Sequence, residues 1–166
     1  MYTMARVAAV DSLQRNDHYC EQASTVIPCF RCGISCTRHQ VRLDMIEAKR
    51  IADGSGLALE IFADTYLDQH HPEARSFLIR QRDGACVFLK RVKADKRANC
   101  LIHSFKPSAC REWTPSLYRR ECPEGLVRHW GVTVNSSGQL HGPEEATQAF
   151  RLFLESLAKT EEVSYK

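Results

Sequence analysis

The stretch CFRCGISC at residues 29–36 places three cysteines within eight residues of a chain of 166. Cys29 and Cys32 are separated by two residues, a spacing at which two thiolates reach one metal from a single tight turn. Gly33 follows directly and supplies the backbone freedom that such a turn needs. Three further cysteines occur singly along the chain. The sequence therefore predicts a metal site with six candidate ligands: Cys29, Cys32, Cys36, Cys86, Cys100 and Cys110.

The chain contains eight cysteines, so two lie outside this set. A lone cysteine is most often a small buried hydrophobe, and this is the prediction for Cys20 and Cys122. His103 follows Cys100 by three residues and could ligate a metal or donate a hydrogen bond to a sulfur. Ser35 could contribute an oxygen ligand. Which cysteines bind, and whether these four other residues take part, is left open by the sequence.

The composition is that of an ordinary globular domain, with 43% hydrophobic and 26% charged residues. The formal net charge of +3 is too small to indicate nucleic acid by itself. The longest apolar run has five residues, 85–89, far fewer than the roughly 20 needed to cross a bilayer. The apolar stretch at residues 7–10 is too short for a signal peptide. We therefore expect a cytoplasmic protein without membrane contact, in which thiols or metal-bound cysteines are favoured over disulfides.

Helix and strand signals together predict an α+β fold: a small metal-centred domain with a short antiparallel sheet, two helices after the first cysteine group and a C-terminal helix. Asp44 and Glu47 have the spacing of a capping box, which predicts a helix that starts here and ends at Gly54. A second helix is predicted over residues 59–69. The C-terminal helix is predicted to begin at Pro143.

The strand signals lie in the middle of the chain. Residues 76–82 and 86–91 are rich in aromatic and branched side chains and flank Asp83-Gly84, which predicts a hairpin. A third short strand over residues 100–103 would place Cys100 near Cys86 across the sheet.

Three segments are predicted along the chain. Residues 1–25 form a loose N-terminal arm, and residues 26–128 form the cysteine-cluster metal-binding domain. Residues 129–166 add a strand, predicted to start near residue 128 and end at 134, and a packing helix to the same globule.

The segment Lys90–Arg97 carries five basic residues in eight. No aromatic residue is interleaved for base stacking, so a solvated hairpin loop is favoured over a nucleic-acid site. The segment could equally dock an acidic redox partner.

Four short elements occur in one order along the chain: CFRCGISC at 29–36, CVFL at 86–89, CLIH at 100–103 and KPSACR at 106–111. They resemble the YkgJ-like cysteine-cluster family, a zinc- or iron-chelating family with the opening motif CxxCxxCC. Ser35 stands where the family has its third cysteine. The resemblance covers about three-fifths of the chain and implies a cysteine-ligated metal centre, favouring iron-sulfur, in a small module that accompanies enzymes. One branch of the family is associated with lysine methylation of flagellin.

The choice between iron and zinc depends on how the ligands are spaced. A structural zinc site commonly gathers four ligands as two close pairs, and here only Cys29 and Cys32 form such a pair. Single cysteines from separate segments suit a cubane. We therefore expect a 4Fe-4S iron-sulfur cluster, with zinc as the alternative.

The expected function is that of an electron-transfer or redox accessory module with a protein redox partner. A zinc-stabilised structural or interaction module is the alternative. A third possibility is a modification enzyme related to flagellin lysine methylase, which is supported only by the resemblance to the family.

Overall fold

The computed structural model describes residues 27–68, 76–91 and 96–163, with side chains as far as residue 159. The described residues divide into two compact units: residues 33–113 form one, and residues 27–32 with 114–163 form the other. Each unit combines helices with short antiparallel strands, so the predicted α+β class is confirmed. The predicted arm of residues 1–25 lies outside the described residues, and the predicted boundary after residue 128 stays a prediction.

The unit of residues 33–113 contains four helices and seven short strands in its described part. The helices are α1 (Ile34–Arg38), α2 (Met45–Gly54), α3 (Leu59–Tyr66) and α4 (Ser108–Arg111). The strands are β1 (Arg42–Asp44), β2 (Leu67–Asp68), β3 (Ser76–Ile79), β4 (Gln81–Arg82), β5 (Ala85–Cys86), β6 (Leu89–Arg91) and β7 (Ala98–Cys100). A turn of 3-10 helix, His103–Phe105, precedes α4.

The two helices predicted after the first cysteine group are both present. The Asp44 side chain accepts a hydrogen bond from the backbone N–H of Glu47 at 2.7 Å, which caps α2, and this helix ends at Gly54 as predicted. The next helix, α3, ends at Tyr66 instead of residue 69. It ends there because Leu67 is fully buried in an extended conformation and begins β2.

The strands pair differently from the predicted hairpin. Only its tip is present, where β4 pairs with β5 across Asp83 and Gly84, whose φ angles of 52° and 73° suit a two-residue turn. The longer strand β3 pairs instead with β1 and β2, in the order β1-β3-β2. The strand β6 pairs with β7. The strand predicted over residues 100–103 was wrong beyond Cys100, because the chain leaves β7 there and enters the 3-10 turn.

The core of this unit is built around stacked aromatic rings. The ring of Phe88, 3% exposed, stacks on that of Phe62 with a centroid distance of 6.2 Å and an interplanar angle of 9°. The ring of Tyr66 lies 4.9 Å from that of Phe88. Aliphatic side chains complete the core: Leu43, Ile51, Leu67, Ile79 and Ile102.

The other unit contains two helices and two short strands in its described part. They are α5 (Glu121–Trp130), β8 (Thr133–Val134), β9 (Leu140–His141) and α6 (Glu144–Val163). The long C-terminal helix is confirmed and follows Pro143 directly. The strand predicted over residues 128–134 was wrong for most of its length, because α5 continues to Trp130 and ends at Gly131, whose φ is 65°.

A close contact joins Cys32 to α5 in this unit. A Cβ added at Gly125 would lie 2.7 Å from Cys32 Sγ and 2.9 Å from Cys32 Cβ, so a glycine is required there. The surrounding core includes Phe30, whose ring packs edge-on against that of Phe150 at 5.4 Å. None of the helices in the described part of the chain is long and apolar enough to cross a membrane.

The contact at Gly125 predicts an unusual response to alanine. Gly→Ala inside a helix normally stabilises by about 1 kcal/mol, but the added methyl group would overlap Cys32. We expect Gly125→Ala to lower the free energy of unfolding by about 1–3 kcal/mol, measured by urea denaturation. Val127→Ala, at a position on the same helix that is 53% exposed, is the control and should change stability little. A Gly125→Ala variant as stable as the original chain would contradict the tight contact.

Candidate metal centre

Cys36 is carried by α1, a five-residue helix that is docked at its start. Gly33 precedes it with φ of 72°, and a Cβ there would lie 2.7 Å from the Cβ of Ala98 on β7. Ile34 is fully buried. The helix also packs against β5. Cys36 is therefore held beside the two strands that carry the next two cysteines.

Cys86 lies half-buried at the end of β5, two residues before the core residue Phe88. Burial raises the pKa of the Cys86 thiol, while the backbone N–H of Phe88 lowers it by hydrogen bonding to the sulfur. The charges of Cys36 and Cys100 raise this pKa further, and the N–H of Leu89 lowers it. The sulfur thus faces two other thiols and receives amide hydrogen bonds.

Cys100 ends β7 and lies opposite Leu89 in the antiparallel ladder. The next residue, Leu101, donates its N–H to the carbonyl of Phe88 at 2.9 Å. Burial raises the pKa of the Cys100 thiol, and the backbone N–H of Ile102 lowers it. The expected proximity of Cys86 and Cys100 is confirmed by their electrostatic interaction, although the strands that carry them do not pair with each other.

Cys110 lies on α4, a four-residue helix that follows the buried Pro107. Burial raises the pKa of the Cys110 thiol to about 12, and the charges of Cys36, Cys100 and Cys86 contribute in the same direction. The ammonium group of Lys106 opposes this increase. Cys110 therefore lies near enough to the three other thiols to interact with them electrostatically.

We call Cys36, Cys86, Cys100 and Cys110 the four-thiol group. Each thiol comes from a different element, each is half-buried, and all four lie in the unit of residues 33–113. Half-buried thiols that receive amide hydrogen bonds are donors suited to a thiolate-bound zinc or iron-sulfur centre. No set of three or more His, Cys, Asp or Glu side chains in the described part of the chain forms a ready-made site for a metal ion.

The remaining described cysteines lie in the other unit. Cys29 is exposed, Cys32 is half-buried, and Cys122 is 5% exposed in the core on α5. Burial raises the pKa of the Cys122 thiol; the N–H of Ser116 lowers it, and the charge of Cys29 raises it. The thiols of Cys29 and Cys122 therefore interact, which the sequence did not reveal because Cys122 lies far along the chain without a motif. The prediction that Cys29 and Cys32 bind metal stays a prediction.

The other candidates differ in how they relate to the four-thiol group. Ser35 is half-buried on α1, next to Cys36. His103 is exposed on the 3-10 turn that follows Cys100. Cys20 lies outside the described residues, as do residues 92–95 of the basic segment. No disulfide joins any two of the seven cysteines in the described ranges.

The comparisons with known proteins bear on the same region. Neither the curated proteins nor the solved structures give a match to this chain. A family model described as "CxxCxxCC: Putative zinc- or iron-chelating domain" matches residues 28–129, which include all of the four-thiol group. The match supports metal binding and is compatible with either metal. Because it covers more than half of the chain, the protein belongs to the CxxCxxCC family of zinc- or iron-chelating domains.

Proposed function

We propose that this protein holds one 4Fe-4S cluster on Cys36, Cys86, Cys100 and Cys110 and serves as an electron-transfer or redox accessory module. The observation that carries the proposal is the packing of the elements that bear the thiols: α1 with Cys36 packs against β5 with Cys86, and Gly33 at its start lies against Ala98 of β7, the strand that ends at Cys100. The charges of these three thiols also raise the pKa of Cys110. Four thiols are the number that one such cluster needs.

The distribution of the thiols favours a cluster over zinc. Structural zinc sites commonly take their ligands as close pairs from one turn. In the four-thiol group the nearest neighbours in sequence are ten residues apart, Cys100 and Cys110, and each thiol lies on its own helix or strand. Ligands that converge from separate elements suit the larger body of a cubane.

Residues around the four-thiol group stabilise negative charge on its sulfur atoms. The amides of Phe88, Leu89 and Ile102 donate to sulfur, and hydrogen bonds of this kind raise the reduction potential of a cluster. The Lys106 ammonium lowers the pKa of both Cys100 and Cys110, so it favours the thiolate forms that a metal needs. A bound cluster would supply one-electron exchange, and half-burial of the thiols would restrict the access of water.

A protein redox partner follows from this proposal. Four thiolates around a core of charge +2 add −2 to the formal charge of +3, which leaves the loaded protein near +1. The basic segment Lys90–Arg97 is the proposed docking region for an acidic partner. The alternative is a zinc-stabilised interaction module, which the family description allows equally.

Anaerobic purification with elemental analysis tests the metal directly. We expect about four iron atoms and four acid-labile sulfides per chain, with absorption near ~400 nm that dithionite bleaches, because a reducible cluster changes colour. One or two zinc ions without sulfide would overturn the redox proposal, since zinc has no accessible second oxidation state. Zinc in addition to four irons would indicate a metal on the thiols of the other unit as well.

Single alanine variants test the ligand set. Cys36→Ala, Cys86→Ala, Cys100→Ala and Cys110→Ala should each lose most of the iron and sulfide, because each removes one thiolate from a four-ligand site. Cys122→Ala is the matched control, since it removes a buried cysteine from the other unit and should retain iron and sulfide. Full iron content in Cys110→Ala would show that the proposed ligand set is wrong.

The raised pKa values predict a steep dependence of metal binding on pH. A free thiol is protonated at neutral pH, and burial raises the pKa of Cys86, Cys100 and Cys110 further above the ordinary 9.0. A metal bound by the four-thiol group must therefore displace one proton from each of its four thiols. As pH rises, this displacement becomes easier. The apparent association constant of the metal-free protein for zinc should therefore increase by up to about 10⁴-fold per pH unit between pH 6 and 8.

Competition with a chromophoric chelator measures this slope. Cys110→Ala should reduce it by about one proton, and Cys122→Ala should leave it unchanged. A slope of one proton or fewer in the original chain would contradict binding through these thiols.

A further inference from the structure

We propose that Glu47, together with Arg50, is a positioning residue that holds Cys110 in place by fastening its segment to α2. This inference rests on the proposed ligand role of Cys110. The helix that carries Cys110, α4, has four residues and none of them is buried. A single turn of helix is unstable alone, so its geometry must be supplied by contacts with other parts of the unit.

The Glu47 carboxylate caps α4 from a distant part of the sequence. Its Oε1 accepts hydrogen bonds from the backbone N–H and from the hydroxyl of Ser108, both at 2.7 Å. α4 has no cap of its own, because Pro107 stands at its N-cap position. A carboxylate at the N-terminus of a helix satisfies amide donors that lack a helical partner, and such charge-assisted hydrogen bonds are strong. Glu47 therefore fixes the start of the turn on which Cys110 lies two residues later.

Arg50 binds the backbone of the two residues before Pro107. Its guanidinium donates to the carbonyl of Phe105 at 3.0 Å and to that of Lys106 at 3.1 Å. The Arg50 Nη2 also lies 3.9 Å from Glu47 Oε1, so the two side chains support each other. Both carbonyls belong to residues that lead directly into α4.

A third contact completes the attachment at the other end of α2. A Cβ added at Gly54 would lie 2.8 Å from Cδ2 of Phe105, so the Phe105 ring rests directly on the helix. Residues 47, 50 and 54 are spaced by three and four, which places them on one face of α2. That face contacts residues 105, 106 and 108. The helix α2 thus supports the segment before Cys110, and we call this set of contacts the splint.

The segment before Cys110 is also stabilised by a residue that follows Cys110 in sequence. Arg111 donates to the carbonyl of Lys106 at 2.6 Å and to the hydroxyl of Ser108 at 2.9 Å. Both acceptors are already bound to α2, through Arg50 and Glu47 respectively. The residue that follows Cys110 is therefore tied to the same two points. We therefore expect removal of the Glu47 carboxylate to disturb the position of the Cys110 thiol more than it lowers the stability of the fold.

The test compares variants of Glu47 in the full chain. Glu47→Ala removes the acceptor, and chelator-driven release of the bound metal should become about tenfold faster or more. Glu47→Gln keeps an oxygen acceptor at the same reach and should restore the rate to within about twofold of the original. Lys49→Ala is the control on the same helix, where an exposed pair with Asp53 at 3.3 Å makes no contact with α4, and it should leave release unchanged.

A second measurement uses the metal-free protein, so it does not depend on the identity of the metal. Iodoacetamide labelling with peptide mapping should show Cys110 reacting several-fold faster in Glu47→Ala, with Cys86 and Cys100 unchanged and the urea midpoint nearly constant. Equal acceleration at all three cysteines would indicate general loosening and overturn the proposal, as would an unchanged rate at Cys110. Should Glu47→Ala fail to fold, Ser108→Ala removes the hydroxyl hydrogen bonds with Glu47 and with Arg111 but keeps the one from the Ser108 backbone N–H to Glu47. This variant should show the same selective increase in labelling of Cys110, with a smaller magnitude.

The two proposals fail separately. A chain that purifies with no iron-sulfur cluster refutes the redox function, while selective labelling of Cys110 in Glu47→Ala still supports the splint. A chain with four irons and no selective change at Cys110 supports the cluster and refutes the splint.

Discussion

The packing of Phe88 determines where two of the four thiols lie. Its ring is buried against Phe62 and Tyr66, which fixes the backbone on both sides of it. The residue two positions earlier is Cys86, whose sulfur faces the N–H of Phe88 itself. The Phe88 carbonyl in turn accepts the N–H of Leu101, the neighbour of Cys100. One buried side chain therefore sets the geometry of two thiols from different strands.

The cost of bringing the thiols together is electrostatic. Burial disfavours the thiolates of Cys86, Cys100 and Cys110, and the charges of Cys36, Cys86 and Cys100 all oppose ionisation of Cys110. Amide donors and the Lys106 ammonium offset only part of this cost, since the pKa of Cys110 still reaches about 12. A bound cationic centre would reverse the balance, because a metal ion stabilises thiolates directly. The arrangement is thus suited to protonated thiols without metal and to thiolates with it, which couples loading to proton release.

Local signals in the sequence predicted the elements that depend on nearby residues. The cap at Asp44, the end of α2 at Gly54 and the C-terminal helix are decided within a few residues. The strands were harder to predict because pairing partners are distant, and β3 pairs with β1 and β2 instead of forming a long hairpin. The helix α5 was missed because Pro123 and Gly125 are typical helix breakers. Proline is tolerated in the first turn, and the glycine makes room for Cys32.

The difference between local and long-range contacts also explains how much of the candidate site could be predicted. Sequence spacing identifies residues that can reach a metal, but it does not decide which of them meet. Cys36 and Cys110 are far apart in sequence, yet their thiols interact electrostatically within one unit. Glu47 is an example among the supporting residues. Its capping-box position predicts only the start of its own helix, α2. Its carboxylate binds Ser108, 61 residues away, and this contact rather than the local motif connects α2 to the thiols.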